Sequence, residues 1–404
     1  MLVRSPEFKA GVGALGAKVH VHSDREIQGV TLAVFNDQAQ QAVELLAKVF
    51  SRDFQLNESA FEAEKEILHR RGLEVQRDQL EQTMSCLYET AFEDHTMGLP
   101  QLGFRDNIPN LTLADVHAHR DRTFTASRMA LVISGNPADA EATLDKAQDF
   151  ASKVSSAPMV EGNQLDPVSQ ETPYMTSSIM NIRDDEMANL NVGVGYPTRE
   201  YGSEDHFFYM FFQELVGDFN ANEHGSAHVN FSDRQYNNSH IWLGDAPGIN
   251  LFQARYRPYS DGGLFTTFIH GHEVWGGVML HMGQFFNSEF TKYVNQADVY
   301  RARARIFNNL LNNSRVSVKN NLSIGQDLLY TGRRIGRNEI ARRVSAMAEA
   351  GHVLRKAKPL FYDQDIAVAS YGPQHMIDAN NHFNRWLKKS TLHSNQVRSE
   401  MYPL

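Results

Sequence analysis

The stretch Phe61 to Gln82, FEAEKEILHRRGLEVQRDQLEQ, constrains this chain more than any other, because it reads as one long helix with charge along most of its length. Asn57 stands where an N-cap belongs, and Glu58, Glu62, Glu64 and Glu66 crowd the first turns, where the positive end of the helix dipole favours carboxylates. Phe61, Ile67, Leu68, Val75 and Leu80 supply a partly apolar face. Gly72 costs about 1 kcal/mol relative to alanine in a helix interior and predicts a bend.

A helix of this kind must pack on something, and 404 residues are enough for two domains, each with its own core. Apolar residues at 42% and charged residues at 22% describe a globular chain, so the whole length is expected to fold. The formal net charge of -9 argues against a nucleic-acid partner. Cys86 is the single cysteine, which excludes an intramolecular disulfide and suits a reducing compartment. The apolar runs, such as His206 to Val216, are too short for the roughly 20 residues a bilayer span needs, and no transmembrane segment is expected. The opening residues MLVRSPEFKAGVGALG show neither a secretory apolar core nor an Arg- and Ser-rich transit helix.

In chain order, Ala17 to His22 and Gly29 to Phe35 predict two antiparallel strands joined through Ser23 to Glu26. Asn36 then caps a helix bearing Ala39, Ala42, Val43, Leu46 and Phe50. After the long helix, Met84 to Phe92 continues an amphipathic pattern and His95 to Ile108 is a loop. Thr112 caps a helix, Arg128 to Ser134 (RMALVIS) predicts a buried strand, and Asp139 to Val154 a helix. Ser156 to Tyr174 carries three prolines and no periodicity, and reads as a linker. Beyond it come strands at Ser177 to Ile182 and Ala188 to Gly195, a Phe-rich helix from Ser203 to Phe219, and a strand pair near Asn250 to Tyr256 and Gly263 to His270. Helices follow at His272 to Phe290, Gln296 to Asn313 and Leu322 to Tyr330. The predicted division is residues 1–155, a linker at 156–174, and residues 175–404.

These residues carry a resemblance. Glu62-x-Glu64-Lys65, followed by Arg71 and Glu74, resembles the E-K/R-E-R-x-V-I-x-E helix of the mitochondrial processing peptidase and pitrilysin family, zinc peptidases with an inverted His-x-x-Glu-His motif. The segment from Gly13 to Phe50, the loop HTMGLPQLGFRDNI, and the closing run from Ile324 to Pro373, with its Tyr-x-Gly-Arg-Arg, are similar to the same family in the same order. The match extends from Gly13 to about Trp386 and favours the family's beta branch, which includes the processing-peptidase beta subunit and the first core subunit of ubiquinol-cytochrome c reductase. Asn220 to Pro247, where the alpha branch has a Gly-rich loop, holds glycine only at Gly225 and Gly244.

The resemblance implies an α+β fold of two homologous α/β domains, each a mixed sheet with helices layered on one face, in a clam-shell arrangement. It implies that the first domain is incomplete at its N-terminus, since the family's inverted motif lies upstream of the segment matched here. Glu64 falls on the family's second-shell carboxylate and Arg71 where the third zinc ligand belongs. A guanidinium stays cationic and offers donors only, so the resemblance implies a degenerate site, no metal, no cofactor and no peptidase activity. It further implies a matrix-facing, peripheral core subunit of respiratory complex III at the mitochondrial inner membrane, paired with a second homologous core subunit and contacting cytochrome b. The alternatives are the active beta subunit of the processing peptidase, or its non-catalytic peptide-binding partner. Tyr330, Arg333 and Arg334 are the candidate partner or peptide contacts.

Other patterns have plainer readings. His20-x-His22 and His270-x-His272 have the spacing that puts two rings on one strand face, but no carboxylate or thiol set accompanies either, and both read as structural. His117-x-His119 lies on a predicted helix, where i and i+2 face apart. Phe207, Phe208, Phe211 and Phe212 recur at helical spacing and read as core. Arg333, Arg334, Arg337, Arg342 and Arg343 form the one strong basic cluster, a solvated helix start or a contact for acidic partners or anionic headgroups. No Walker A, dinucleotide or G-x-S-x-G signature is present.

Overall fold

The turn Asp24 to Ile27 shows how short-range chemistry sets the first fold element. The Asp24 carboxylate accepts from the backbone N–H of Glu26 (2.9 Å) and of Ile27 (2.6 Å), closing the chain back on itself. The strands it joins are then held in register, with Lys18 opposite Ala33 and Ser23 opposite Gln28. The structure is a computed structural model, and it describes residues 2–51, 53–136, 138–153, 173–221, 248–284, 294–361 and 364–374.

The elements in chain order begin with α1 (Pro6–Leu15), β1 (Lys18–Ser23), β2 (Gln28–Ala33), α2 (Ala39–Phe50), α3 (Glu58–Arg77), α4 (Gln79–Ala91), α5 (Leu113–Thr123) and α6 (Ala140–Lys153). They continue with β3 (Ser178–Arg183), β4 (Leu190–Thr198), α7 (His206–Val216), β5 (Phe219–Asn220), β6 (Ile249–Pro258) and β7 (Gly263–Gly271). The last are α8 (Gly276–Gln284), α9 (Gln296–Arg315), α10 (Ser317–Thr331), α11 (Arg337–Ser345), α12 (Ala350–Phe361) and β8 (Ala367–Gly372). The predicted linker lies almost wholly outside the described residues, as do most of Asn220 to Pro247 and the end of the helix predicted to reach Phe290.

Two compact units share the chain. One takes Met1–Glu74, Gln101–Pro167 and Leu310–Ile335; the other takes Val75–Pro100, Val168–Asn309 and Gly336–Leu404. Each unit thus draws on residues from both sides of 156–174.

The first unit is built on the β1–β2 hairpin and the helices around it. Phe8, Val49 and Phe54 form one core with Val30, Leu32 and Leu46, and Val43, Ala47 and Phe150 form another with Met129 and Leu131. Helix α5 starts on a full capping box between Thr112 and Asp115.

Of the residues predicted as a strand, Arg128 to Ser134, Arg128 ends a short 3-10 turn, Met129 is extended, and none joins a ladder. Their apolar alternation is satisfied by packing, with Met129 and Leu131 against α2 and α6, and the strand neighbour that backbone pairing requires is absent among the described residues. The long predicted helix is likewise two helices. Asp78 turns its side chain to accept from the Glu81 N–H at 3.0 Å, capping α4 and ending α3.

The second unit is built on a six-stranded mixed sheet, β3-β8-β4-β7-β6-β5, parallel only between β3 and β8. The central strand β4 is buried from Leu190 to Tyr196, and helices cover both its faces. On one face Leu87 and Thr83 of α4 reach within 3.4 Å of where a β-carbon on Gly193 would lie. On the other, Phe361 of α12 stacks on Phe212 of α7 with centroids 4.4 Å apart and meets Phe265 and Tyr196 edge-on. Phe207, Phe208, Phe211 and Phe212 are all buried here, as their spacing predicts.

Candidate functional site

Helix α3 carries the residues singled out from the sequence. Asn57 starts it, its side chain accepting from Ser59 N–H at 2.8 Å and its carbonyl from Phe61 N–H at 3.0 Å. Phe61 is buried, and the ammonium of Lys65 lies 5.3 Å from its ring. Lys65 also reaches Glu62 at 3.3 Å and donates to the carbonyls of Pro109 (3.0 Å) and Leu111 (3.2 Å), which pins α3 to the segment before α5.

Glu64 is largely covered, and its Oε2 takes a 3.1 Å ion pair from Arg4, sixty residues away. Arg71 is half-exposed one turn before Glu74, whose Oε2 it meets at 3.1 Å. Arg70 pairs similarly with Glu66 at 2.8 Å. The helix surface is therefore a set of matched charges. Glu64 is bound to a guanidinium and Arg71 presents one.

A zinc ion needs three or four imidazole, thiolate or carboxylate donors converging on one point. Among the described residues no group of three histidines, cysteines or acidic residues could hold a metal. With Arg4 on Glu64 and a cation at 71, the α3 residues do not fit zinc.

His22, His270 and His272 are engaged locally. His22 Nε2 lies 3.1 Å from Asp24, and His270 Nδ1 lies 2.8 Å from Asn191 Oδ1, with burial lowering its basicity. His272 accepts from Val274 N–H at the start of a short turn of helix. His119, on α5, is also made less basic, by burial and by Arg122.

Among the basic cluster, Arg333, Arg334, Arg337 and Arg342 are exposed, while Tyr330 is half-buried on α10. Arg343 is bound to Glu339 through two nitrogens (3.3 and 3.2 Å) and lies over the Phe207 ring at 4.6 Å. It is therefore a fixed part of the second unit's wall. The Asp327 carboxylate, buried, accepts from Ile335 N–H at 3.0 Å and shapes the turn that carries Arg333 and Arg334.

Sequence reasoning missed two features. The partnership of Arg4 with Glu64 has no local signal, since it joins residues that only folding brings together. The second is a cavity of about 360 Å3 in the first unit, lined by β2, α2, α10 and residues 128–136. It could have been suspected only by asking what pairs with RMALVIS.

A mixed sheet with helices, in a chain of two compact units, defines the class as a two-domain α/β fold. The model described as Insulinase (Peptidase family M16) matches residues 3–103, and that described as Peptidase M16 inactive domain matches residues 110–305. The chain belongs to peptidase family M16.

It is 25% identical over 361 residues to the mitochondrial-processing peptidase subunit beta of Neurospora crassa, covering 89% of this chain and 73% of that protein. It is 24% identical over 367 residues to the cytochrome b-c1 complex subunit 1, mitochondrial, of Rattus norvegicus, covering 90% of this chain and 73% of that one. Among solved structures it resembles a chain of complex III2 from Candida albicans with Inz-5 bound, at a TM-score of 0.72 and 18% identity, over 92% of this chain and 86% of that one. A peptidase M16 inactive domain from Pseudomonas fluorescens gives 0.73 at 14% identity, over 90% of this chain and 82% of that one. These likenesses speak to the fold. No described helix is long and apolar enough to cross a membrane.

Proposed function

We propose that this chain is a non-catalytic core subunit of mitochondrial respiratory complex III, facing the matrix and serving assembly rather than chemistry. The observation that carries the reading is the charge arrangement of α3, where Arg71 faces Glu74 and Arg4 occupies Glu64 at 3.1 Å. Family M16 peptidase chemistry needs a metal with a carboxylate ligand; the position the resemblance gives to that ligand holds a guanidinium, and Glu64 beside it is held in an ion pair. The similarity to a cytochrome b-c1 complex subunit 1 over 90% of the chain supports the choice of complex. A chain of this kind pairs with a second, homologous core subunit and reaches cytochrome b and the membrane through partners. An obligate interface of that sort buries roughly 2,000 Å² or more. In this reading Tyr330, Arg333 and Arg334 lie at partner contacts, and the division 1–155, 156–174 and 175–404 gives its two peptidase-like domains and their linker.

The test is native-gel fractionation of detergent-solubilised inner membrane. The protein is expected in the band with cytochrome b and cytochrome c reductase activity, and high salt or carbonate should strip it more readily than a spanning subunit. A protein found only as a soluble matrix species would overturn the assignment.

A second reading has its own support, because relatives named mitochondrial-processing peptidase subunit beta match over a similar share of the chain. In that case the chain is a processing-peptidase beta subunit, or the non-catalytic, peptide-binding member of such a pair. Stoichiometric zinc together with cleavage of a presequence peptide would establish the catalytic form. Presequence binding without cleavage would establish the other.

A further inference from the structure

Ser345 ends α11 behind a pair of arginines, Arg342-Arg343-Val344-Ser345. Ser345 and Arg342 are exposed, and their i, i+3 spacing puts them on one face of the helix, while Val344 between them is buried. Arg343 is directed inward, bound to Glu339 through two nitrogens and lying over the Phe207 ring at 4.6 Å. Two guanidinium groups at the third and second places before a hydroxyl are the charge pattern that a kinase cleft lined with carboxylates selects, because each guanidinium can take a carboxylate through two hydrogen bonds. Val344 and Ala346, on either side of the serine, carry no charge to oppose it. No other serine or threonine of the sequence follows two arginines at these places. Thr391 follows Lys388 and Lys389 in the same way and lies outside the described residues.

The chain around Ser345 is anchored on both sides and closed lightly between. The nine residues of α11 are too few to hold a helix by themselves, so packing keeps it formed. Its last turn is closed by Ala346 N–H on the Arg342 carbonyl and Met347 N–H on the Val344 carbonyl, each at 3.1 Å. Upstream the anchor is Arg343 on Glu339 and Phe207. Downstream it is Gln296 of α9, which donates to the Ala348 carbonyl at 2.6 Å and accepts from Ala350 N–H at 3.0 Å. Fraying of the helix end is thus confined to residues 344–347, and the buried Val344 and Met347 oppose it.

We propose that Ser345 is a phosphorylation site for a serine/threonine kinase that selects upstream arginines, and that the phosphate loosens the end of α11. In the transfer, the bond between the γ-phosphorus of ATP and its bridging oxygen breaks as a bond to Ser345 Oγ forms; ADP leaves, and the serine proton passes to the kinase's base. The product carries a charge of about −1.5 to −2 at the negative end of the helix dipole, where it disfavours the last turn. Arg342, one turn back, offsets part of that cost. The proposal does not rest on the complex III reading.

The test uses the full 404-residue chain with magnesium ATP and the catalytic subunit of cyclic-AMP-dependent protein kinase, an enzyme that selects upstream arginines. One phosphate per chain is expected, placed on Ser345 by tandem mass spectrometry and absent from the Ser345→Ala variant. Arg342→Ala should lower kcat/KM for the phosphorylation about tenfold or more, the loss of one charge-assisted pair, while leaving the thermal unfolding midpoint of this exposed position close to that of the parent. In the phosphorylated chain, amide hydrogen exchange of residues 344–347 should be faster by about threefold to tenfold, with β4 and β7 unchanged.

Equal incorporation into Ser345→Ala would overturn the proposal, since the label would then sit elsewhere, as at Thr391. Equal rates for Arg342→Ala and the parent would reduce Ser345 to an incidental hydroxyl. Labelling of the urea-unfolded chain but not of the native one would show that the fold closes the site. Unaltered exchange at 344–347 after full phosphorylation would reject the loosening of α11.

Discussion

The Tyr196 hydroxyl, fully buried beneath α8, donates to the backbone carbonyl of Gly283 at 2.9 Å. The same glycine lies so close to β4 that a β-carbon on it would come 2.5 Å from Val194 Cγ2. One face of the second unit's sheet is therefore locked to its helix by a hydrogen bond and by the absence of a side chain. Tyr196→Phe should cost about 1–3 kcal/mol in urea unfolding, the penalty for a buried carbonyl left without its donor. Gly283→Ala should cost about 1–3 kcal/mol by overpacking, and the loss should be smaller in a Val194→Ala background. Strict additivity in that double-mutant cycle would show that the contact does not govern the site.

His206 sits at the start of α7, its ring tilted at 42° to that of Tyr201 with centroids 4.4 Å apart, and 3.0 Å from the Tyr256 hydroxyl. Burial pushes its pKa down from 6.5 to about 4. The unfolded chain therefore binds this proton more readily than the folded one. Its contribution is fully present above about pH 6.5 and is lost as the pH falls towards 4, a total of about 3 kcal/mol. Comparing unfolding free energies of parent and His206→Gln chains from pH 7.5 to 4.5 isolates this term. The parent should lose stability over that window faster than the variant, and parallel curves would contradict the assignment.

Cys86 lies inside α4 with its thiol pushed up to about 11 by burial and by the nearby charge of Glu89. The thiolate is the reactive form, so an aromatic disulfide reagent at pH 8 should label the native chain far more slowly than a small-molecule thiol. One equivalent should react promptly in 6 M guanidinium. Fast native labelling would mean that α4 separates from the sheet on the timescale of the assay.

Arg71→Glu places a carboxylate on α3 at the position that the resemblance gives to a zinc ligand, but supplies no imidazole. Metal content after dialysis against zinc, read by elemental mass spectrometry, should stay far below one equivalent and match the parent chain. The variant should also lose a few tenths of a kcal/mol, because the 3.1 Å pair with Glu74 becomes a like-charge pair one turn apart. Stoichiometric zinc in the variant would bring in ligands from outside the described residues.

Where local chemistry decides, the fold was readable from residues alone. The Thr112 helix start, the Asn57 cap and the strand pair of β6 and β7 all follow from neighbours within a few positions. The buried Phe-rich face of α7 was equally plain, since helical spacing puts Phe208 and Phe212 side by side. The end of α3 was harder, because Asp78 favours a cap as readily as a solvent-facing helix position and only the cap geometry decides. The state of residues 128–134 was not readable. Their apolar alternation specifies an extended chain, and whether a neighbour lies within 5 Å to pair with it is a property of distant sequence. On α3 the residue types at 64 and 71 were legible. The partner that neutralises Glu64 is not, because nothing near position 64 points to Arg4.

The covering of β4 by α4 has a consequence for how the molecule is made. Helix α4 leaves the ribosome early, and one of the strands it packs against, β8, is near the end of the chain. At roughly 5–20 residues per second, some tens of seconds separate their synthesis. Through that interval α4 has β4 to rest on but lacks β8, and the sheet beneath it is completed only once residue 372 has been made. A nascent chain stalled before residue 367 would leave the side of α4 that meets β8 open to chaperones, which makes β8, the last of the described strands, the step that covers it.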